Sequence, residues 1–131
     1  MNKKFILHLL FTFLLIICSA KSAIAQSTDP GIDALINRNQ AYLFNNMSRA
    51  INLTIDQSTQ SLDKEEALKS VFSFFSEKGF SRYSIRHRGN SDDGSLRYII
   101  ANVYSSQGRY RLFVHYSNRT KEMKEIRLVE S

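Results

Sequence analysis

The stretch LRYIIANVYSSQGRYRLFVHYS, residues 96–117, constrains the fold more than any other part of this chain. Two alternating runs of strand length flank a glycine-containing loop that suits only an antiparallel hairpin. Side chains of a strand alternate between faces, so a pairing register assigns every residue a side. Taken as a three-residue loop, SQG pairs Ser105 with Arg109, Asn102 with Leu112 and Tyr98 with Tyr116. One face then collects Tyr98, Ile100, Asn102, Tyr104, Tyr110, Leu112, Val114 and Tyr116. The other collects Arg97, Ile99, Ala101, Val103, Arg109, Arg111, Phe113 and His115. The same matching puts Tyr83, Ile85 and His87 of the preceding strand on the aromatic face, and Arg82, Arg86 and Arg88 on the arginine face. The aromatic face is the one expected to meet the helices.

Those helices are legible upstream. Apolar residues at Ile32, Leu35, Ile36, Leu43, Phe44 and Met47 predict two short helices meeting near residues 37–39. INLTI, residues 51–55, alternates as a strand. LDKEEALKSVFSFFSEKG carries the clearest helix. Asp63 can cap its free N–H groups and Glu66 completes a capping-box pattern. Leu68, Val71, Phe72 and Phe75 form its buried stripe, and Gly79 can take the left-handed turn that ends it. A last strand is predicted around residues 123–129. Helix, helix, strand, helix and four antiparallel strands make an α+β domain, a curved antiparallel sheet packed on N-terminal helices and one longer helix.

Before this domain stands a different kind of segment. MNKK is basic, residues 5–17 form a 13-residue apolar run, and Ala23 and Ala25 fit a small-x-small cleavage site. The run is shorter than the roughly 20 residues a membrane span takes. The segment reads as a secretory signal peptide, residues 1–25, followed by one domain, residues 26–131. The expectation is an exported protein, periplasmic or secreted, with no transmembrane helix once the signal is gone. Ile17 occupies the place where a lipoprotein signal needs a small residue, which argues against a lipid anchor at Cys18. Loss of Lys3, Lys4 and Lys21 lowers the net charge from +6 to +3, so overall basicity argues little for nucleic acid. The sole cysteine leaves with the signal, so the domain has no disulfide and no thiolate for zinc. His87 and His115 are its only imidazoles and lack metal-ligand spacing. No metal or cofactor is expected.

INLTI, EALKSVFSFF, YSIRHRG and GRYRLFV, set in this element order, resemble the nuclear transport factor 2-like superfamily. Within it the chain is similar to small exported bacterial proteins classed as a domain of unknown function, over residues 29–130. The resemblance implies a cone-like, cystatin-like fold with a pocket between the curved sheet and a long helix, and it implies no activity. Superfamily relatives that are steroid isomerases or polyketide cyclases use a carboxylate inside the cone with an acid or tyrosine opposite. Here the inward strand positions offer no Asp or Glu, since Asp56 alternates outward and Asp92 and Asp93 lie in a turn.

No catalytic residue is therefore assigned. Candidate ligand-binding residues are His87, Asn102, Tyr98, Tyr83 and Tyr104, an imidazole, an amide and three phenols expected to face a neutral or anionic small molecule. Asn102 is the oddest, because an amide among apolar neighbours is costly unless paired. Arg82, Arg86, Arg88, Arg97, Arg109 and Arg111 form a candidate partner face for an acidic protein or a second copy. The preferred reading is a non-catalytic binding or accessory domain. The alternatives are a small-molecule isomerase or cyclase and a dimerising interaction subunit. A carboxylate reaching His87 from a helix would favour the enzyme. A pocket filled by its own side chains would favour the interaction subunit.

Overall fold

The computed structural model describes residues 3–4 and 27–131. The apolar run at residues 5–17, Cys18 and the cleavage site at residues 23–25 lie outside the described residues. Two short helices, α1 (Pro30–Asn37) and α2 (Gln40–Asn46), lead into the hairpin β1 (Met47–Ile55) and β2 (Ser58–Asp63). Helix α3 (Lys64–Lys78) follows, and then the meander β3 (Arg82–Asn90), β4 (Leu96–Ser105), β5 (Gly108–Ser117) and β6 (Met123–Glu130). The six strands form one curved sheet in the order β2-β1-β6-β5-β4-β3. All neighbours are antiparallel except β1 and β6, which run parallel. Among the described residues no helix is long and apolar enough to cross a membrane.

The helices form where local chemistry starts and stops them. Asp29 caps α1, accepting from Ile32 N at 3.1 Å, and Pro30 opens the helix where its missing N–H leaves no donor unpaired. Asn39 caps α2 through Tyr42 N at 3.2 Å. Asp63 accepts from Glu66 N at 2.9 Å, as its spacing predicts. Gly79 at φ 70° ends α3 with its N–H on the Phe75 carbonyl at 2.9 Å. Strand β2 was not expected from the sequence. STQSLD has no apolar alternation and lies mostly exposed at the sheet's edge, held by its ladder to β1.

The core lies between α3 and one face of the sheet. Helix α3 contributes Ala67, Leu68, Val71 and Phe75, all buried, with Phe72 partly covered. Phe75 meets Phe80 edge-on, ring centroids 5.1 Å apart at 77°. The sheet contributes Ile51, Leu53, Ile99, Ala101, Val103, Leu112, Val114, Ile126 and Leu128. The inner face of β4 is therefore Ile99, Ala101 and Val103, opposite to the face expected for that strand.

Two local features cause the inversion. The β4–β5 loop has two residues, Ser106 and Gln107, because Gly108 at φ 142° pairs with Ser105 as part of the strand. Tyr98 thus pairs with His115 and Asn102 with Arg111, one residue away from the expected register. In β3 the ladder slips between Ile85, opposite Ala101, and His87, opposite Ile100. Arg86 is the extra residue of a β-bulge, so the alternation reverses beyond it. Tyr83 and Ile85 face inward as expected, whereas His87 faces outward.

Phe75 is wholly buried at the centre of this core. Phe75→Ala is expected to lower unfolding free energy by about 3–5 kcal/mol, measured by urea denaturation. A loss below about 1 kcal/mol would show that α3 does not anchor the sheet.

Candidate functional site

The outward face of the sheet carries most of the residues singled out from the sequence, in four cross-strand rows. Arg82, Tyr104 and Arg109 form the first. Ser84, Asn102, Arg111 and Val129 form the second. His87, Ile100, Phe113 and Arg127 form the third, and Gly89, Tyr98, His115 and Glu125 the fourth. The aromatics and arginines expected on opposite faces thus stand together. Arg82 lies 4.4 Å over the Tyr104 ring, and Arg127 lies 5.5 Å from that of Phe113. Such stacking fixes a guanidinium while leaving its edge N–H groups available.

Tyr98 organises the fourth row. Its hydroxyl is 3.3 Å from His87 Nε2, and its ring lies between those of His87 and His115, with centroids 5.6 and 6.0 Å away. The ring covers Gly89, where a Cβ would sit 2.6 Å from Tyr98 Cζ. Between the first and second rows Ser84 Oγ lies 3.0 Å from the Tyr104 hydroxyl. That bond, followed by Asn102, Arg109 and Arg86, holds the Tyr104 phenol below its ordinary value. Asn102 is only 7 % exposed despite facing outward, and its Oδ1 has no partner. Glu125, 3.6 Å from Arg127 and 4.0 Å from His115 Nδ1, is the one acid among these rows.

Two of the six expected arginines belong elsewhere. Arg88 and Arg97 pair with Ile99 and Tyr116 across the inner face. Arg88 donates to the Thr28 carbonyl at 2.6 Å and Ser27 Oγ at 3.1 Å. Arg97 stacks 4.3 Å over Tyr116, with Nη1 3.9 Å from Asp29 Oδ1. Arg86, on the bulge, has no ladder partner. Tyr98, Asn102, Tyr104 and His87 cannot line a pocket under the helices, because the parity of their strands points them away. Tyr83 alone of the five ligand candidates turns inward, and it is half-buried.

Tyr83 leads to a cluster that sequence reasoning missed. The buried Asp29 carboxylate accepts from the Tyr116 hydroxyl at 2.6 Å as well as from Ile32 N. Tyr83 accepts from Asp29 N at 3.1 Å and bonds to the Asp33 carboxylate. Gly31 is required here, since a Cβ would collide with the Tyr116 hydroxyl. The signal was present in DPG, a cap residue and an N1 proline followed by a residue without a side chain. An inward carboxylate beside a tyrosine therefore exists, supplied by a helix cap rather than a strand. Proton abstraction by Asp29 would break the cap and the Tyr116 bond together, so the geometry fits a structural tie between α1 and the sheet. Among the described residues no cluster of three or more His, Cys, Asp or Glu could hold a metal ion.

A curved sheet wrapped on α3 with two short helices at one end defines the nuclear transport factor 2-like class. Structures of that class are similar to this one, including an NTF2-like protein of unknown function from Cytophaga hutchinsonii (TM-score 0.55, 11% identity, 76% of this chain and 82% of that one). The chain belongs to the family described as domain of unknown function DUF4783, whose model matches residues 30–128. Family structures from Bacteroides ovatus (TM-score 0.69, 19% identity, 82% of this chain and 98% of that one) and Bacteroides fragilis (0.68, 21%, 80% and 100%) share the fold. No curated protein matches the chain in sequence.

The buried hydroxyls predict an alkaline transition. Desolvation, followed by the hydrogen bond to Asp33, pushes Tyr83 up from 10.0 to about 12. Tyr116 is also raised, by burial first and then by the Asp29 charge. Because the folded values are raised, the stability these groups contribute is complete below the unfolded value of 10.0, and the Tyr83 part is lost as pH rises through about 12. The urea midpoint should fall over that window, and Tyr83→Phe should flatten the fall. An unchanged profile in the variant would show that the Tyr83–Asp33 bond contributes nothing.

Proposed function

We propose that this protein is an exported, non-catalytic binding domain that docks an acidic protein segment on its outward sheet face. The observation that carries the reading is the contrast between the two faces. The inner face is closed by buried Ile99, Ala101, Val103, Leu112 and Val114 packed towards α3. The outward face presents Arg82, Arg109, Arg111 and Arg127 around half-covered Tyr98, Ile100, Tyr104 and Phe113, against the single acid Glu125.

Like charges on neighbouring strands repel, and a carboxylate-rich partner would relieve that repulsion. Arginine suits the role because its planar fork takes a carboxylate through two hydrogen bonds. Aromatic rings between the arginines add contact area at low entropic cost, a composition common in interface cores. A second copy laid face to face would set arginines against arginines, so charge favours a different, acidic partner. His87, Tyr98, Asn102 and Tyr104 then serve this surface rather than an internal pocket.

Binding of a Glu-rich peptide should weaken steeply with salt, since exposed charges are screened over about 8 Å at physiological ionic strength. Arg82→Glu with Arg111→Glu should abolish it while circular dichroism stays unchanged. A double variant that binds as the parent does across a salt series would reduce the face to a solvated surface.

Export rests on the basic start, the apolar run and the Ala-x-Ala site. Intact-mass measurement on cell fractions should find a chain beginning at Gln26. A species acylated at Cys18, or an uncleaved cytoplasmic chain, would overturn it.

A further inference from the structure

The rim beside Asp29 has a chemistry that the outward face does not share. A cleft of about 290 Å³ opens there between α1, α2 and the β5–β6 turn. Arg97 and Lys121 line it together with apolar Leu43 and Met123 and the half-exposed ring of Tyr42. We propose that this cleft binds a small organic monocarboxylate, with Arg97 and Lys121 on the carboxylate and Pro30 and Tyr42 beside its apolar body, over the buried Leu43 and Met123.

Arg97 is positioned but not spent. Its guanidinium is stacked on Tyr116 at 4.3 Å, and Tyr116 is fixed by its hydroxyl on Asp29. Asp29 Oδ1 stands 3.9 Å from Nη1, beyond hydrogen-bond distance, while Oδ2 is occupied by Ile32 N and Tyr116. Among the described residues none accepts a hydrogen bond from the Arg97 side chain. A planar fork held over a ring, lining a cleft and donating to no acceptor among the described residues, can take a carboxylate through two hydrogen bonds.

Lys121 supports the same reading. It sits in the left-handed region at φ 66°, where asparagine or glycine would be less strained, with its N–H on the Ser117 carbonyl at 2.8 Å. The strained backbone thus carries a lysine at the cleft's edge. Size and charge restrict the ligand further. The volume is at the small end of ligand pockets, so a body of about one ring fits. The fixed charge of Asp29 beside the site disfavours a dianion, which separates a carboxylate from a phosphate ester.

The test is titration of the purified protein, as the cell produces it, with benzoate, neutral benzamide and inorganic phosphate, followed by nuclear magnetic resonance. Benzoate should shift the Arg97 and Lys121 signals saturably, and benzamide and phosphate should not. Arg97→Gln should abolish the response but also removes the stack on Tyr116. Lys121→Asn is the cleaner variant, because asparagine accepts the left-handed backbone. It should weaken benzoate about tenfold, the loss of one charge-assisted contact, with an unchanged or higher melting temperature. An equal response to benzamide, a stronger response to phosphate, no saturable shift at the cleft, or full benzoate affinity in Lys121→Asn would each overturn the proposal. The outward-face mutations leave this site untouched, so the two readings fail separately.

Discussion

In a pleated sheet the side a residue faces depends only on whether its offset from a reference is even or odd, and in this protein two backbone features set that parity. One is the two-residue turn at Ser106 and Gln107, which pairs Ser105 with Gly108. The other is the extra residue Arg86 in β3. Together they send Ile99, Ala101 and Val103 into the core and put His87, Tyr98, Asn102 and Tyr104 on the outside. Shift the turn by one residue and the Asn102 amide and the Tyr98 and Tyr104 phenols would replace aliphatic groups against α3; remove the bulge and His87 would turn inward. Burying them unpaired would cost several kcal/mol, a large part of a small domain's stability. The core therefore enforces the register as much as the turn does.

A second constraint ties the helices to this sheet. Helix α1 is eight residues long, too short to hold its shape alone. Asp29 secures it by accepting at once from Ile32 N of the helix and from Tyr116 of β5. Tyr83 adds a tie from β3 through Asp29 N and Asp33. The buried carboxylate is tolerable because its bonds replace those it made to water. The same tie orients Tyr116, and through it Arg97. The stability of the rim and the chemistry of the cleft thus share one residue.

How much of this was legible beforehand follows from what each signal depends on. The α+β class, the three helices and their caps at Asp63 and Gly79 rest on local periodicity and turn chemistry, and they stand in the structure as expected. Strand β2 has no such signal, because an exposed edge strand needs only a partner's backbone. The facing of β4 was inverted because SQG accommodates loops of two or three residues, and one residue exchanges the faces. A clue lay in the strand itself: Ile99, Ala101 and Val103 are uniformly apolar, and Asn102 interrupts the opposite set. The bulge at Arg86 had no sequence signal, lacking glycine or proline. Asp29 lies outside the apolar periodicity that marks the helices, although Asp-Pro-Gly spells a helix start with room for a close neighbour.

The division of chemistry between faces has a consequence for what this cone can do. The isomerase or cyclase chemistry weighed from the sequence would need a carboxylate free to exchange a proton inside the cone. Here the strands close the interior with aliphatic side chains, and the inward acid, Asp29, is committed to a helix cap and a tyrosine. Polar groups with unused hydrogen-bonding capacity include Asn102 and the arginines on the outward face, and Arg97 and Lys121 at the rim. Groups at those places are reached by water, with nothing to shield a reacting centre, and the proposed binding would use them through contact and charge. An aliphatic interior and an arginine-rich exterior are two results of the same register, and the proposed binding surface follows from it.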